Sequence, residues 1–335
     1  MILVTGGTGL VGSHLLYQLT QKNETVRAVF RSEESLQRVR SVFSYYTDEV
    51  EVFFSKIDWR QADITDIPAM IPLFEGITQV YHCAALISFD PKDYREMRKV
   101  NIHGTAIIVN LSIDAGVQKL CYVSSIAAIG NELKKPKADE ESEWTGNAKN
   151  HGYSITKYGG EMEVWRASQE GVKVVIVNPG VILGSGFWNS GSGKMFSQIY
   201  EGFQFYSDGV TGFVGVKDVV NVMCQLMESP LHNERYILVA ENKSYKEVLF
   251  SIADAFEKKR PFQLVKPWQT ELFWRWERLV SLFTGKRPRL SKYAAKSLHT
   301  KTMYSSEKIE KAFAYRFQKI SKVIEETCKE YLLFK

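Results

Sequence analysis

Cysteine is scarce in this chain of 335 residues: Cys83, Cys121, Cys224 and Cys328 lie far apart, form no C-x-x-C and have no histidine at metal-ligand spacing. That pattern speaks against a disulfide framework, and the four read as reduced, mostly buried thiols of a cytoplasmic protein. The six histidines (His14, His82, His103, His151, His232 and His299) share no motif, so no metal site is expected. Long apolar runs are missing as well. The longest, Val174 to Val181, is broken by Asn178 and Pro179 and falls far short of the roughly 20 residues a bilayer span needs. The N-terminus opens on Met1-Ile2-Leu3-Val4, without the basic segment and cleavage site of an export signal, which again suggests the cytoplasm. The 9 prolines and 23 glycines build no repeat or tract, which excludes a fibrous or disordered chain; 44% hydrophobic residues suit a sizeable core.

Charge of one sign is lacking only in sum. The net +5 conceals 19 Lys and Arg against 8 Asp and Glu in residues 257 to 335, a surplus of +11 that leaves −6 for the rest. These basic residues are scattered among aromatics without a nucleic-acid-binding motif, so they read as a solvated face and no nucleic-acid partner is expected.

From residue 1 to about 180, short β-branched runs alternate with amphipathic segments. The runs are Ile2 to Thr5, Thr25 to Phe30, Trp59 to Asp63, Gln79 to Cys83, Lys119 to Ser124 and Lys173 to Asn178. Near-continuous hydrophobicity suits parallel strands buried on both faces, with helices crossing between them. The expected fold is α/β, a doubly wound parallel sheet of the Rossmann type. Tyr45 to Ser55 fits no element clearly. Beyond residue 180, glycine-rich loops (184 to 193 and 202 to 215) give way to helical patterns over Val216 to Met227, Tyr245 to Lys258, Glu271 to Phe283 and Ser306 to Tyr331. A smaller, mostly helical C-terminal part is expected there, interleaved with the sheet.

Thr5-Gly6-Gly7-Thr8-Gly9-Leu10-Val11-Gly12 follows the first strand and opens an amphipathic helix. Glycines at this spacing allow a tight turn and close backbone approach to a pyrophosphate, which the helix N-terminus attracts. At the end of the second strand, where a carboxylate would bind a ribose 2′-hydroxyl, stands Arg31. A guanidinium pairs with a 2′-phosphate instead, so NADP(H) is expected over NAD(H), unless Arg31 is merely solvated. Asp63, with Ile64 beside it, ends the third strand and is placed to hydrogen-bond an adenine amino group; a helix-capping role for Asp63 or Asp66 is the alternative.

Tyr153-Ser154-Ile155-Thr156-Lys157 puts a phenol and an ammonium one turn apart on one helix face. An unperturbed tyrosine is a poor acid-base at neutral pH, and a nearby cation stabilises its phenolate. Ser124-Ser125 and Asn178-Pro179-Gly180 stand at the carboxyl ends of neighbouring strands, where ligands bind in open α/β sheets.

With these pieces in place the chain resembles the extended short-chain dehydrogenase/reductases, the NAD-dependent epimerase/dehydratase superfamily. The resemblance rests on Gly6-x-x-Gly9-x-x-Gly12, His82-Cys83-Ala84-Ala85, Asn101, Ser125, Tyr153-x-x-x-Lys157, Asn178-Pro179-Gly180 and Val216-Lys217-Asp218-Val219, in family order. It implies Tyr153 as proton donor to a carbonyl oxygen, Lys157 as the cation that lowers the tyrosine pKa and holds the nicotinamide ribose, and Ser125 as hydrogen-bond donor to the developing alkoxide. It further implies that Ala84 and Ala85 pass close to the cofactor and that Pro179 and Val181 lie against the nicotinamide. An NADP-binding domain over 1–180 and about 210–230 follows, with 181–209 and 231–335 as the substrate-binding part. The resemblance also allows a homodimer through helices near Asn101 and Tyr153.

Departures from the family pattern narrow the reaction. Sugar-nucleotide dehydratases carry Asp-Glu after the serine, where this chain has Ile126-Ala127. Epimerases present an arginine clamp before the segment matching Phe213 to Val216, where this chain has Thr211-Gly212. The sequence is most similar to the dihydroflavonol-4-reductase-like branch, which implies an NADPH-dependent reductase of a small ketone or aldehyde. The alternatives are a nucleotide-sugar epimerase and a non-catalytic dinucleotide-binding sensor. The substrate pocket is expected from Ile87 to Asp90, Gly130 to Leu133, Gly184 to Tyr206 and the 268–290 segment. In that last segment Leu272, Phe273, Trp276, Leu279, Val280 and Phe283 form a stripe with Arg275, Arg278, Lys286, Arg287 and Arg289 nearby. The stripe reads as core or a cleft lid, with an interfacial membrane helix as the alternative.

Overall fold

The β-branched runs become strands. In chain order they are β1 (Ile2–Thr5), β2 (Val26–Phe30), β3 (Ile57–Gln61), β4 (Gln79–His82), β5 (Lys119–Val123), β6 (Lys173–Pro179), β7 (Val181–Leu183), β8 (Phe205–Tyr206), β9 (Val210–Gly215), β10 (Glu234–Leu238), β11 (Glu241–Ser244) and β12 (Gln263–Leu264). The computed structural model describes residues 1–22, 24–130, 136–145 and 151–335. Seven strands form one parallel sheet in the order β10-β6-β5-β4-β1-β2-β3. The order reverses between β1 and β4, and such a reversal opens a crevice at the carboxyl ends of the strands.

Period-two alternation splits the core between the two faces of this sheet. Ile2, Val4, Tyr81, Cys121, Val175 and Val177 pack on one side with Leu15, Leu16, Val39 and Val219 from the helices Leu10–Gln21, Glu33–Phe43 and Val216–Glu228. Leu3, Val80, Leu120, Val174 and Ile176 pack on the other with Ile108, Val109 and Val164 from the helices Thr105–Asp114 and Gly152–Gln169. Burial raises the thiol pKa of Cys83 to about 12 and that of Cys224 to about 11, and all four cysteines are free thiols.

Several expectations need correction. The span 231–335, assigned to the substrate-binding part, opens with β10, an edge strand of the main sheet whose first residues, Glu234 and Arg235, are polar and masked its character. The third strand runs two residues earlier than expected, ending at Gln61. The C-terminal part is mostly helical, as expected, and a small second sheet, β11-β9-β7, accompanies its helices. The pattern from Ser306 to Tyr331 is two helices, Glu307–Phe313 and Ile320–Phe334. Ala314 takes a left-handed conformation with φ of 50°, so that Tyr315 Oη reaches Asp218 Oδ1 at 2.7 Å and the Gln318 amide reaches Asp218 Oδ2 at 3.1 Å. The unplaced stretch holds the short helix Val50–Phe54.

The stripe of the 268–290 segment is the largest departure. It lies on the helix Pro267–Thr284, but that helix turns Thr270, Trp274 and Ser281 inward and leaves Leu272, Phe273, Trp276, Leu279 and Phe283 exposed. The inward face is held by hydrogen bonds, from Lys92 Nζ to Ser281 Oγ at 3.3 Å and between Thr270 Oγ1 and His299 Nε2 at 3.0 Å. The apolar residues are thus neither core nor the lining of a lid.

Candidate active site

The carboxyl edge of the sheet gathers the residues that the sequence singles out. After β1 the chain turns at Gly6, whose φ is +68°; a Cβ there would lie 2.5 Å from Ala84 N, so only glycine lets the β1 and β4 loops meet. Gly12 is equally constrained, since its Cβ would lie 2.2 Å from Gly6 O. The Gly9 amide bonds Gly6 O at 3.0 Å and the helix Leu10–Gln21 begins at once, with no side chain capping it. Uncapped amides at Leu10, Val11 and Gly12, at the positive end of a helix dipole and beside half-buried Thr8, fit a dinucleotide pyrophosphate.

Arg31 stands just past β2, exposed, and its charge helps to lower the pKa of Asp63. Asp63 stands past β3. Its Oδ1 already accepts hydrogen bonds from the Thr65 amide at 2.8 Å and Thr65 Oγ1 at 2.7 Å. Burial works to raise its pKa, but these bonds hold it below the usual value. Helix capping falls to Asp66, which accepts from the Ala69 amide at 3.2 Å. Ile64 is buried against Gly104, where a Cβ would lie 2.8 Å from its Cδ1, so its side chain belongs to the core. Ala84 is half-buried and Ala85 exposed beyond β4; Pro179 is buried at the end of β6 and Val181 half-buried at the start of β7.

The candidate acid-base cluster is built across β5 and the helix Gly152–Gln169. Ser125 follows β5, accepts the Ala127 amide at 3.1 Å and hydrogen-bonds Tyr153. Burial pushes the Tyr153 phenol up to about 12, against the Ser125 hydrogen bond. Lys157, one turn on and 1% exposed, donates to Tyr122 Oη at 2.9 Å and Val123 O at 2.8 Å. Burial lowers its pKa to about 7, while the carboxylate of Glu161 works to raise it. A phenol that holds its proton and an amine that sheds its own near neutrality form a pair tuned toward each other.

The cluster is fixed by Asn101 and Asn178, motif residues to which the sequence assigned no role, and by groups outside the motifs. Asn101 lies in a π-helical turn, Lys99–Gly104, a distortion common at functional sites. Its amide donates to Leu86 O at 2.9 Å and Thr156 Oγ1 at 3.0 Å, and Thr156 Oγ1 donates to Tyr153 O at 2.9 Å. The β4 loop is thereby locked to the tyrosine's own helix turn. Glu161, one turn past Lys157 and fully buried, accepts from Asn178 Nδ2 and lies 3.6 Å from Arg235 Nη1. Burial raises its pKa. The signal for Glu161 was present, since positions 153, 157 and 161 share one helix face; Tyr122 and Arg235 carry no sequence signal of this kind.

An aromatic wall faces Tyr153. The Phe89 ring lies 6.1 Å from it, His151 stacks parallel to it at 6.1 Å, and Tyr293 lies 6.1 Å beyond His151. His151 caps the helix by accepting the Ser154 amide at Nδ1, and burial, with the charge of Lys296 second, lowers its pKa to about 4. It is therefore a neutral wall residue. Of the expected pocket loop Gly130 to Leu133, residues 131–133 lie outside the described residues. Among the described residues no three His, Cys, Asp or Glu side chains gather as a metal site.

Comparison with known proteins identifies the family and the fold. The profile of the NAD dependent epimerase/dehydratase family matches residues 2–238. Sterol demethylase protein B of Methylococcus capsulatus is 27% identical over 269 residues, 79% of this chain and 77% of that protein. A putative dihydroflavonol 4-reductase of Synechocystis is 26% identical over 313 residues, 91% of this chain and 87% of that one. Among solved structures, UDP-glucose 4-epimerase of Thermotoga maritima shares the fold with a TM-score of 0.77 at 19% identity, over 99% of both chains.

Proposed function

The chain belongs to the NAD-dependent epimerase/dehydratase family, whose members are NAD(P)-dependent enzymes working on carbonyl and hydroxyl groups, and on that premise we propose that it is an NADPH-dependent reductase of a ketone or aldehyde. The observation that carries this reading is the Ser125, Tyr153 and Lys157 cluster beside the glycine cradle. Bound in the cradle, the cofactor supplies hydride. In this reading Ser125 and Tyr153 orient the substrate oxygen, and Tyr153 gives it a proton as negative charge develops there. Lys157, charged, stabilises the phenolate left behind.

Sterics bear on the branch within the family. A Cβ on Gly212 would lie 2.5 Å from Val239 Cγ2, so β9 has no room for an arginine clamp at that position. Ile126 is buried in the turn after Ser125 and offers no acid to a leaving hydroxyl. Both points speak against the nucleotide-sugar reading, and the apolar wall at Phe89 favours a substrate with an apolar body.

The test is NADPH oxidation, followed spectrophotometrically, against ketones and aldehydes of graded chain length. Its companion is the cofactor preference. Arg31→Asp should reverse an NADPH-over-NADH binding preference, weakening NADPH about 10- to 100-fold in fluorescence titration, because a 2′-phosphate would meet a carboxylate in place of a guanidinium. Unchanged relative affinities would remove Arg31 from the cofactor site.

Glu161→Gln provides a finer check. Loss of its charge removes the largest influence that keeps Lys157 protonated, so the alkaline limb of the pH dependence of kcat should move down by about one unit. A profile that falls in height without moving would show Glu161 to be a packing residue only.

A further inference from the structure

We propose that the helix Pro267–Thr284 is a docking element that seats this protein on an anionic lipid surface, lying in the plane of the interface. The helix is amphipathic but mounted the wrong way round for a soluble protein. Trp268, Leu272, Trp276, Leu279 and Phe283 follow one another at steps of four, four, three and four residues, which makes one continuous face. That face points outward: Trp276 is 63% exposed and Phe283 89%, with Leu282 beside them at 71%. Half a turn away lie Thr270, Trp274 and Ser281, the buried side that meets the rest of the protein. The inward side is held by polar contacts while the apolar residues stay outside, and an outward apolar stripe of this size marks a surface that meets something other than water.

Charge decides what that is. The stripe is flanked by Arg278 on the helix, Lys266 before it, and Lys286 and Arg289 after it, all exposed, within the segment of net charge +11. Basic residues beside an apolar face with tryptophans fit lipid headgroups, acyl chains and the interface between them. A stripe of 16 residues is about 24 Å long, suited to lying flat, and no helix among the described residues is long and apolar enough to cross a membrane.

The docking face is tied to the candidate site. Lys92, which bonds Ser281, and Asp93, which pairs with Arg287 at 3.1 Å, belong to the loop that follows Phe89. The helix Lys292–Ser297 brings Tyr293 to the same aromatic wall. Resting on the proposed reductase reading, a corollary follows: the carbonyl substrate is a lipophilic molecule taken from the bilayer.

The experiment is co-sedimentation of the full chain with large vesicles of phosphatidylcholine, alone or mixed with phosphatidylglycerol at about seven to three. The expected result is pelleting with the mixed vesicles, weakened by salt, and at least about tenfold weaker partition for Leu272→Glu/Leu279→Glu at an unchanged melting temperature. Trp276→Ser, a milder change at the same face, should weaken it in the same direction. Wild-type protein that stays in the supernatant with both vesicle types overturns the proposal. So does a double variant that pellets like wild type, or a wild-type dimer that the double variant dissolves without any vesicle binding. A second readout separates docking from catalysis: KM for a long-chain ketone carried in vesicles should rise in the double variant, while a short, water-soluble ketone is reduced equally by both. Vesicle binding without turnover of either ketone would sink the reductase reading and leave docking standing.

Discussion

Tyr153→Phe should lower kcat for carbonyl reduction by about 10²- to 10⁴-fold while leaving NADPH affinity within about threefold of wild type. The substitution removes one oxygen and little else. The ring keeps its contacts with Phe89 and His151, and the backbone carbonyl still accepts from Thr156, which Asn101 holds in turn. What disappears is the proton donor. Burial raises that phenol to about 12, with only the Ser125 hydrogen bond opposing the rise. A proton so held is available to a carbonyl oxygen only as that oxygen becomes basic, which is when a reduction needs it. Steady-state kinetics with a fluorescence titration of NADPH on both proteins decides the matter. Retained turnover would move the acid to another group. A wild-type protein that binds NADPH and reduces nothing, whatever stands at position 153, would instead favour the sensor.

The parts of this site that sequence made legible are those whose chemistry depends on local spacing. The glycine turn is legible because its three glycines fall within seven residues: a Cβ at Gly12 would strike Gly6 O, one at Gly9 would crowd the same oxygen at 3.3 Å, and Gly6 also has a positive φ. Tyr153 and Lys157 are local because four residues make one helix turn. Parallel strands were legible because burial on both faces leaves continuous apolar runs, and β10 escaped because an edge strand starting with Glu234 and Arg235 does not. The break at Ala314 escaped for another reason: it is imposed by Asp218, almost a hundred residues upstream, which collects Tyr315 and Gln318. The same limit applies to Tyr122 and Arg235, whose roles arise where β5 and β10 bring them beside Lys157 and Glu161. Periodicity found the stripe on the helix Pro267–Thr284 but could not say which way the helix would turn. Its orientation is set by Lys92 and His299, both remote in sequence.

Lys157→Met should abolish most of the activity, about 10²- to 10⁴-fold in kcat, and at the same time make the protein more stable near neutral pH, by about 1 to 3 kcal/mol. The two effects have one origin. Burial lowers the lysine from its ordinary 10.5 to about 7, because the amine is 1% exposed and the carboxylate of Glu161 offsets the loss of water only in part. Between those two values the unfolded chain binds a proton that the folded chain does not, so stability rises with pH across that window. Below about pH 7 both states are protonated and the cost of the buried ammonium is borne in full. Methionine has a stem of similar length and no charge to desolvate, so it removes that cost. It also gives up the hydrogen bonds to Tyr122 Oη and Val123 O and leaves Glu161 to Arg235 and Asn178, which keeps the gain well below the full shift. Urea unfolding of both proteins at pH 6.5 and 10 should therefore show the variant ahead at the lower pH and the difference shrinking, or changing sign, at the higher. A variant less stable than wild type at pH 6.5 would mean that the lysine serves mainly to tie β5 to its helix, and that the site holds no strained cation for catalysis to use.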